Sequence, residues 1–369
     1  MAEHIKNITI ETFRGIRSLQ LDGLFPINIL TGDNNCGKTS VLEVLGSFAD
    51  PGDFRCWRTL LRRGNAPALS GRLSLFEGFS DLFDINCEEK KVAYSVETSE
   101  NHTEHVVLSA YEDTEELTEK EYAELSGLSY AQDEERQEPV LLSVSRLKME
   151  IRVDGELVGQ ECIYEGQYRI MMPLRQYLKE GRNIIYISPT RHAEGNVFLT
   201  SILSNPELYE NMLDVLKAYD EDIISINYDR DENSVSGRGI YKILSKSHKK
   251  ALPLNVYGDG MKKALLLMSA VVRAKDGILL LDEFETAIHT SAMDKTFRWI
   301  LETCIKLNVQ VFLTSHSKEA IEKLLRCSPR LQNQMAVYTL FREDKKTTVR
   351  RLTGEKAIMV QDDMGLELR

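Results

Sequence analysis

The sequence predicts an α/β fold in which parallel strands present a ligand site at their carboxyl ends. Three short apolar runs indicate this sheet: INIL at residues 27–30, ILLL at 278–281 and VQVFL at 309–313. Four apolar residues in a row, as at 278–281, are typical of a strand buried on both faces of a parallel sheet, and the other two runs also read as strands. Polar residues follow each run, first a glycine-containing loop, then Asp282 and Glu283, and last Ser315 and His316. We therefore expect these three groups to meet at one edge of the sheet.

Composition bounds the classes of protein that remain. The chain has 369 residues, of which 42% are hydrophobic and 28% charged, with a formal net charge of −11. These values are ordinary for a globular protein, and the negative charge does not favour a surface that coats nucleic acid throughout. We find no apolar run long enough to cross a bilayer and no signal-peptide pattern in MAEHIKNITI. We therefore expect a cytoplasmic protein without membrane contact, whose six scattered cysteines are reduced.

The first loop has the spacing of a phosphate-binding loop. Residues 32–39, GDNNCGKT, fit G-x-x-x-x-G-K-[ST] between a predicted strand and a predicted helix. Glycines let successive backbone N–H groups point at one anion, and the following helix adds its positive end. Lys38 is then expected to reach the β and γ phosphates, and Thr39 to offer a hydroxyl to Mg²⁺. An ordinary glycine turn before a helix is the alternative, and the flanking elements favour a P-loop NTPase.

Carboxylates and a histidine complete the predicted site. Asp282 ends a buried strand and is the expected Mg²⁺ partner, while Glu283 is the candidate base that polarises the attacking water. His316 follows the next strand along the chain, where its imidazole is expected to hydrogen-bond the γ-phosphate. The alternatives are that Asp282 and Glu283 belong to an ordinary acidic loop and that His316 is structural. The phosphate-binding loop elsewhere in the chain favours the functional interpretation of all three residues.

A second glycine-containing helix start lies at VYGDGMKKALLLMSAVV, residues 256–272. The helix after Gly258 and Gly260 is apolar nearly all round, which predicts burial. Its N-terminus is a second potential anion site, although a tight turn that caps the helix is the alternative. One nucleotide does not need two such ends from one chain, but it could use one from each of two chains, which would clamp the γ-phosphate from both sides.

Together these motifs resemble those of ABC-type ATPases of the RecF and SMC kind. The closer likeness is to the overcoming-lysogenization-defect (OLD) family and the AAA-15/AAA-21 proteins. ITIETFRGIRSLQL resembles that family's first hairpin, with an FRG turn at Phe13, Arg14 and Gly15. YGDGMKK stands at the signature position, LLLDEFETAIH at Walker B, and FLTSHS at the switch histidine. MGLELR also resembles the usual end of such chains.

The resemblance implies an ABC-ATPase-like head that hydrolyses ATP with Mg²⁺ in a homodimer or higher homo-oligomer. It implies catalytic roles for Glu283, His316 and Lys38, and metal binding by Thr39 and Asp282. It implies nucleotide binding by Arg14, Gly32, Asp33, Asn34, Asn35, Cys36, Gly37, Lys38, Thr39 and Ser40 and, from a second chain, by Gly258, Asp259 and Gly260. The usual signature serine is replaced by Gly258, so contacts there would come from backbone N–H groups, Lys262 or Lys263.

A long segment separates Lys38 from Asp282. We expect a split ATPase domain at residues 1–65 and 240–369, with residues 66–239 as an inserted mixed α+β segment that partly completes the fold. KVAYSVETS, EHVVLSAYE and LKMEIRVDGEL read as strands, and VDGE as a tight turn. The acidic stretch at residues 112–138 predicts a surface helix plus a mobile loop, RNIIYISPTR a buried strand, and PELYENMLDVLKAYD a helix. No heptad run predicts a long coiled coil.

Three functions remain open at this stage. The chain could be a sensor ATPase that controls a separate nuclease or toxin effector, as in antiphage systems of the Septu and PARIS sort. It could be a RecF-like repair ATPase that binds DNA ends or gaps, or it could bind ATP structurally. Arg55, Arg58 and Arg62 share one predicted helix face, which either touches DNA or an acidic partner, or is simply solvated. The segment after His316 lacks the pattern of a Toprim nuclease, and Glu283 argues against a purely structural site, so the sensor is favoured.

Overall fold

The computed structural model describes residues 3–61, 73–126, 140–168, 181–188, 197–230, 239–286, 288–343 and 346–364. The strands are β1 (Ile5–Phe13), β2 (Ile16–Leu21), β3 (Ile27–Gly32), β4 (Lys90–Thr98), β5 (Thr103–Thr118), β6 (Leu141–Val153), β7 (Glu156–Tyr164), β8 (Ile184–Ile187), β9 (Ile223–Arg230), β10 (Gly239–Ser245), β11 (Leu252–Pro253), β12 (Ile278–Leu281), β13 (Gln310–Thr314), β14 (Met335–Glu343) and β15 (Lys346–Thr353). The helices are α1 (Lys38–Ser47), α2 (Phe54–Thr59), α3 (Leu75–Ser80), α4 (Glu119–Ser126), α5 (Thr200–Leu203), α6 (Pro206–Leu216), α7 (Asp259–Arg273), α8 (Thr290–Lys306), α9 (Lys318–Arg326) and α10 (Gly354–Met364).

The predicted parallel sheet is present. Its strand order is β15-β14-β3-β13-β12-β8, and every neighbouring pair except the antiparallel β14–β15 pair is parallel. The three apolar runs form the adjacent strands β3, β13 and β12, all of them fully buried. Their carboxyl ends therefore lie side by side, where open α/β sheets bind ligands.

A second six-stranded sheet is antiparallel and covers α1. Its order is β2-β1-β4-β5-β6-β7, so strands from the middle of the chain extend the N-terminal hairpin. One hydrophobic core joins this sheet to α1 and to one face of the parallel sheet. Within it the Ser47 and Tyr94 hydroxyls lie 2.8 Å apart, and the Tyr94 ring packs near Trp57. The helix behind the phosphate-binding loop is thus held between two sheets.

The other face of the parallel sheet carries a second core. It contains side chains from α5 to α10 and from the three-stranded sheet β11-β10-β9. Ten of the 15 residues of α7 are buried, as its nearly continuous apolar sequence predicts. The helix predicted over residues 206–220 is α6, which ends at Leu216 and buries Leu208, Met212 and Leu216.

Two predictions about the middle of the chain were wrong. Residues 112–118 were expected to start a surface helix, but they continue β5, and the helix α4 begins only at Glu119. Pairing with β6 explains the strand, because cross-strand pairs such as Asp113 with Arg146 neutralise its acidic side chains. The strand β8 is half-buried rather than buried, since it lies at the edge of the parallel sheet.

The other strands and the tight turn were predicted correctly. Asp154 and Gly155, both at positive φ, connect β6 to β7. All six cysteines are free thiols. The described helices include none that is long and apolar enough to span a bilayer. Arg62 and the final residues 365–369 fall outside the described residues, so only Arg55 and Arg58 of the predicted basic stripe can be placed, both exposed at α2.

Candidate functional site

At two positions, the loop between β3 and α1 has a backbone conformation that favours glycine. Gly32 has a φ of +132°, and a Cβ added there would lie 2.2 Å from the carbonyl oxygen of Leu340. Gly37 has a φ of +105° and caps α1 without a side-chain hydrogen bond. The first-turn N–H groups of α1 thus have no side-chain cap, which suits a helix N-terminus that binds an anion.

Lys38 closes the loop from inside. Its Nζ donates hydrogen bonds to the carbonyl oxygens of Gly32 at 2.7 Å and Asp33 at 2.8 Å. The residue is only 4% exposed, and Cys36 Sγ lies 3.7 Å from the amine. A positive charge is therefore held at the loop, where a phosphate group would use it.

Asp282 is the centre of a hydrogen-bonded group at the ends of the strands. Its Oδ1 accepts hydrogen bonds from the hydroxyls of Thr39 at 3.2 Å and Thr314 at 2.5 Å, and its Oδ2 accepts from the Tyr186 hydroxyl at 3.4 Å. The residue is 1% exposed. Thr39 and Asp282, which the sequence assigned to the same magnesium site, are in contact. The sequence did not reveal Thr314 and Tyr186, because their relation to Asp282 depends on strand order.

Glu283 leaves the buried strand and faces the cavity. Its backbone has a φ of +46°, a conformation that is costly for a residue with a side chain and that clusters at functional sites. Its N–H donates to the Thr314 hydroxyl at 2.8 Å, which fixes the turn. Its carboxylate is 39% exposed and lies 3.9 Å from the Nε2 of His316, which is 40% exposed. Both side chains can therefore reach a ligand at the loop.

The phosphate-binding loop, Glu283 and His316 line one cavity of about 770 Å³, whereas Asp282 lies behind Thr39 and does not line it. Its lining combines predicted and unpredicted residues: Arg14, Gly15, Ile16, Asn34, Asn35, Cys36, Gly37, Lys38, Thr39, Ser40, Glu283, His316, Arg342 and Thr347. Arg342 and Thr347 come from the β14–β15 hairpin, which no motif marks. The volume is in the range of cofactor and ligand pockets in proteins.

Arg14 lies at the cavity, but its guanidinium points at protein groups. Nη1 is 3.3 Å from a carboxylate oxygen of Glu43, and Nη2 donates to the carbonyl oxygen of Leu60 at 3.0 Å. The residue has a positive φ of 51°, which forms the turn between β1 and β2. In this arrangement Arg14 braces α1 through Glu43, a relation that the FRG pattern did not indicate.

The signature segment does not line this cavity. Gly258 is the N-cap of α7, with a φ of −62° and open space around the position of an added Cβ. Asp259 is exposed and its carboxylate lies 2.9 Å from the amine of Lys262. Gly258, Asp259 and Gly260 therefore form a separate helix start, apart from the cavity of the same chain.

Glu285 organises the turn that carries His316. Its Oε1 accepts hydrogen bonds from the Ser315 hydroxyl at 2.7 Å, the His316 N–H at 3.2 Å and the Ser317 N–H at 3.3 Å. Behind it, burial lowers the pKa of the Lys263 amine to about 7, although Glu285, Glu283 and Asp282 act in the opposite direction. No sequence pattern marked Glu285, because its partners lie on the loop that follows the neighbouring strand β13.

The residues present suit magnesium bound together with a phosphate. Thr39 and Asp282 supply a hydroxyl and a carboxylate oxygen in contact, which are the hard donors that Mg²⁺ prefers. The described residues contain no cluster of three or more His, Cys, Asp or Glu side chains that could hold a metal by themselves. Magnesium sites commonly use one or two protein ligands plus substrate phosphates, so the donor set fits.

Two family profiles match this chain. "AAA ATPase domain" matches residues 4–153, and "AAA domain, putative AbiEii toxin, Type IV TA system" matches residues 173–322. A Helicobacter pylori protein named ATP/GTP phosphatase is 24% identical over 377 residues, covering 95% of this chain and 96% of that protein. The DNA replication and repair protein RecF of Acinetobacter baumannii is 38% identical over 52 residues, which are 14% of each chain.

Solved structures share the fold at low identity. An Smc head bound to the C-winged helix domain of ScpA is 12% identical, with a TM-score of 0.50 over 96% of this chain and 99% of that chain. A Pyrococcus furiosus Smc head domain with an extended coiled coil is 9% identical, with a TM-score of 0.50 over 99% and 100% of the two chains. The predicted fold, a P-loop NTPase with an ABC-ATPase-like head, is confirmed. The two family profiles, the Helicobacter pylori relative and the shared fold together support an ATPase of the AAA/ABC class.

Proposed function

We propose that this chain is a magnesium-dependent ATPase that works in pairs and regulates a separate effector protein. The observation that carries the ATPase part is the convergence of three strand ends on one cavity. The phosphate-binding loop meets Asp282 through Thr39 at 3.2 Å, and Glu283 and His316 line the same cavity. Sequence-distant residues with complementary roles in phosphoryl transfer are thus brought together.

Each side chain has a role in hydrolysis. Lys38 and the loop N–H groups bind the β and γ phosphates, and Glu283 accepts a proton from the attacking water. His316 lies 3.9 Å from the carboxylate of Glu283 and hydrogen-bonds the γ-phosphate on the other side of that water. Thr39 and Asp282 would hold Mg²⁺, which would supply charge neutralisation at the phosphates. The hydroxyl of Thr314 bonds both the Asp282 carboxylate and the Glu283 N–H, which fixes these two groups relative to each other.

The signature segment serves a second chain's nucleotide. Gly258 and Gly260 begin α7 outside the cavity, and Gly258 has free space around it. In a head-to-tail pair, the N–H groups of this helix start would meet the γ-phosphate held by the partner's loop. ATP binds better to the closed pair than to single chains, and this difference in affinity drives closure.

A sensor role that controls a nuclease or toxin agrees best with these features. The OLD-like signature YGDGMKK supports this role. The description of one matched family, "putative AbiEii toxin, Type IV TA system", links related domains to toxin–antitoxin systems. The second candidate is a RecF-like repair ATPase, which the short match to RecF favours. Binding to gapped duplex DNA, measured by fluorescence anisotropy with and without ATP, separates the two. ATP-dependent binding to the gap supports repair, and its absence supports the sensor.

Phosphate release tests the ATPase itself. Purified protein should release phosphate from ATP in the presence of Mg²⁺ and lose this activity with EDTA. GTP is worth testing in parallel because the Helicobacter pylori relative is named for both nucleotides. Glu283→Gln provides the matched inactive variant. Phosphate release that is equal in wild type and Glu283→Gln would show that Glu283 is not the base and would contradict the proposed mechanism.

A further inference from the structure

Lys263 is a buried amine without a hydrogen bond. It lies on α7, is 2% exposed, and its Nζ has no hydrogen-bond partner within the described part of the chain. A buried charged group that makes no hydrogen bond is costly, and natural cores avoid such groups unless another state uses them. Lysine at this position therefore calls for a function other than packing.

A complementary unpaired atom lies on the loop after Asp282. Glu285 Oε2 is buried and likewise has no hydrogen-bond partner among the described residues. Of the carboxylates that attract the amine of Lys263, Glu285 is the strongest. Both atoms are buried and lack a hydrogen bond, so a movement that joined the amine to this carboxylate oxygen would satisfy both.

The other oxygen of Glu285 is fully engaged with the His316 turn. Oε1 accepts from the Ser315 hydroxyl and from the N–H groups of His316 and Ser317. Any shift of Glu285 toward α7 would therefore carry this turn along. Lys263 stands five positions after Gly258 on the same helix, so a displacement of the helix start moves the amine as well.

We propose that Lys263 and Glu285 form an ion pair when the signature end of α7 engages a partner's ATP, and that this pair positions His316. The two positioning residues would thus couple the partner's nucleotide to the chain's own γ-phosphate contact. This inference rests on the proposed function, since it assigns a route of regulation to the same site. It explains why a costly lysine is kept at a position that methionine would fill.

Lys263→Met separates a coupling role from a structural one. Methionine keeps the length and apolar stem but removes the charge, so the melting temperature should stay the same or rise. The kcat for ATP should fall about tenfold, the usual size of coupling between sites, with little change in KM. Lys306→Met, at an exposed lysine paired with Glu207, is the matched control and should leave kcat and KM unchanged.

Glu285→Gln gives an independent arm. The amide oxygen can still accept from the His316 turn, but the amide NH₂ cannot pair with an ammonium group. It should lower kcat to a similar extent, and the double variant Lys263→Met/Glu285→Gln should be no slower than either single variant, as a shared interaction requires. The coupling role would be overturned if the losses of kcat multiplied in the double variant or if kcat were unchanged in the single variants. A lower melting temperature of Lys263→Met would overturn it as well. A wild type that fails to hydrolyse ATP would instead contradict the proposed function.

Discussion

The chain has two glycine-containing helix N-termini, one before α1 and one at α7, and they differ in whether groups of the same chain enclose them. The loop before α1 is built from within: Gly32 has a carbonyl oxygen against it, Gly37 has a φ of +105°, and the Lys38 amine is hydrogen-bonded to loop carbonyls. The start of α7 is open, because an added Cβ at Gly258 would meet nothing within 4 Å and the side chain of Asp259 is 86% exposed. One site is preorganised inside the chain, whereas the other presents its N–H groups outward. This difference is what we expect if, as proposed, a second chain completes the start of α7.

Lys38→Ala should produce the largest effect on nucleotide binding. It removes the buried amine of the complete site, and charged hydrogen bonds to phosphate are worth enough to lower ATP affinity about a hundredfold. Equilibrium binding of a fluorescent ATP analogue measures this, with Lys306→Ala as the surface control. ATP affinity equal to that of the wild type would show that the loop before α1 does not hold the phosphates.

Glu283→Gln should lower kcat by about a hundredfold or more while leaving ATP bound. The carboxylate that accepts the proton is lost, but the loop and Lys38 are unchanged. Size-exclusion chromatography with ATP should then show a trapped dimer, which wild type forms only transiently. Wild-type turnover in this variant would remove Glu283 from the role of base.

Substitution of one glycine in each helix start compares the two regions directly. Gly32→Ala should lower the free energy of unfolding by at least about 2 kcal/mol, because its Cβ would meet the Leu340 carbonyl at 2.2 Å and its φ is positive. Gly258→Ala should change that free energy by less than about 0.5 kcal/mol, since space is open there.

For Gly258→Ala the defect should instead appear in turnover. In the proposed pair the added methyl group would crowd the approach of the partner's γ-phosphate to the helix N–H groups, so kcat should fall several-fold while ATP affinity is kept. Urea denaturation and steady-state kinetics on the two variants provide the data. Equal losses of stability in both would contradict the difference between an enclosed and an open helix start.

The smallest effect is expected from Arg55→Ala/Arg58→Ala. Arg55 is already paired with Asp53 at 2.5 Å, and both arginines are exposed on a short helix whose residues do not line the cavity. Exposed pairs of this kind contribute little, so hydrolysis and DNA binding should stay within about twofold of wild type. A marked loss of affinity for gapped DNA, with a shallower salt dependence, would favour the repair function.

The sequence predicted those parts of the site that are contiguous in the chain. The strand, glycine loop and helix around Lys38 follow from local spacing, and so do the carboxylates after β12 and His316 after β13. The contacts between distant segments did not follow, because Thr314 and Tyr186 reach Asp282 only through the order of strands in the sheet. The acidic run at residues 112–118 was wrongly predicted as helix. Its negative charges are balanced by residues of the paired strand β6, and this pairing cannot be seen from the pattern of one segment alone.

Complementation between two inactive chains tests the central claim, that one nucleotide is held by the loop of one chain and the helix start of another. Lys38→Ala damages the first region, and a bulky substitution such as Gly260→Trp damages the second. In an equal mixture, half of the dimers are mixed and each has one intact composite site, so about a quarter of wild-type hydrolysis should return. If both regions act within the same chain, no intact site forms in the mixture, and the activity would stay at the level of the separate variants.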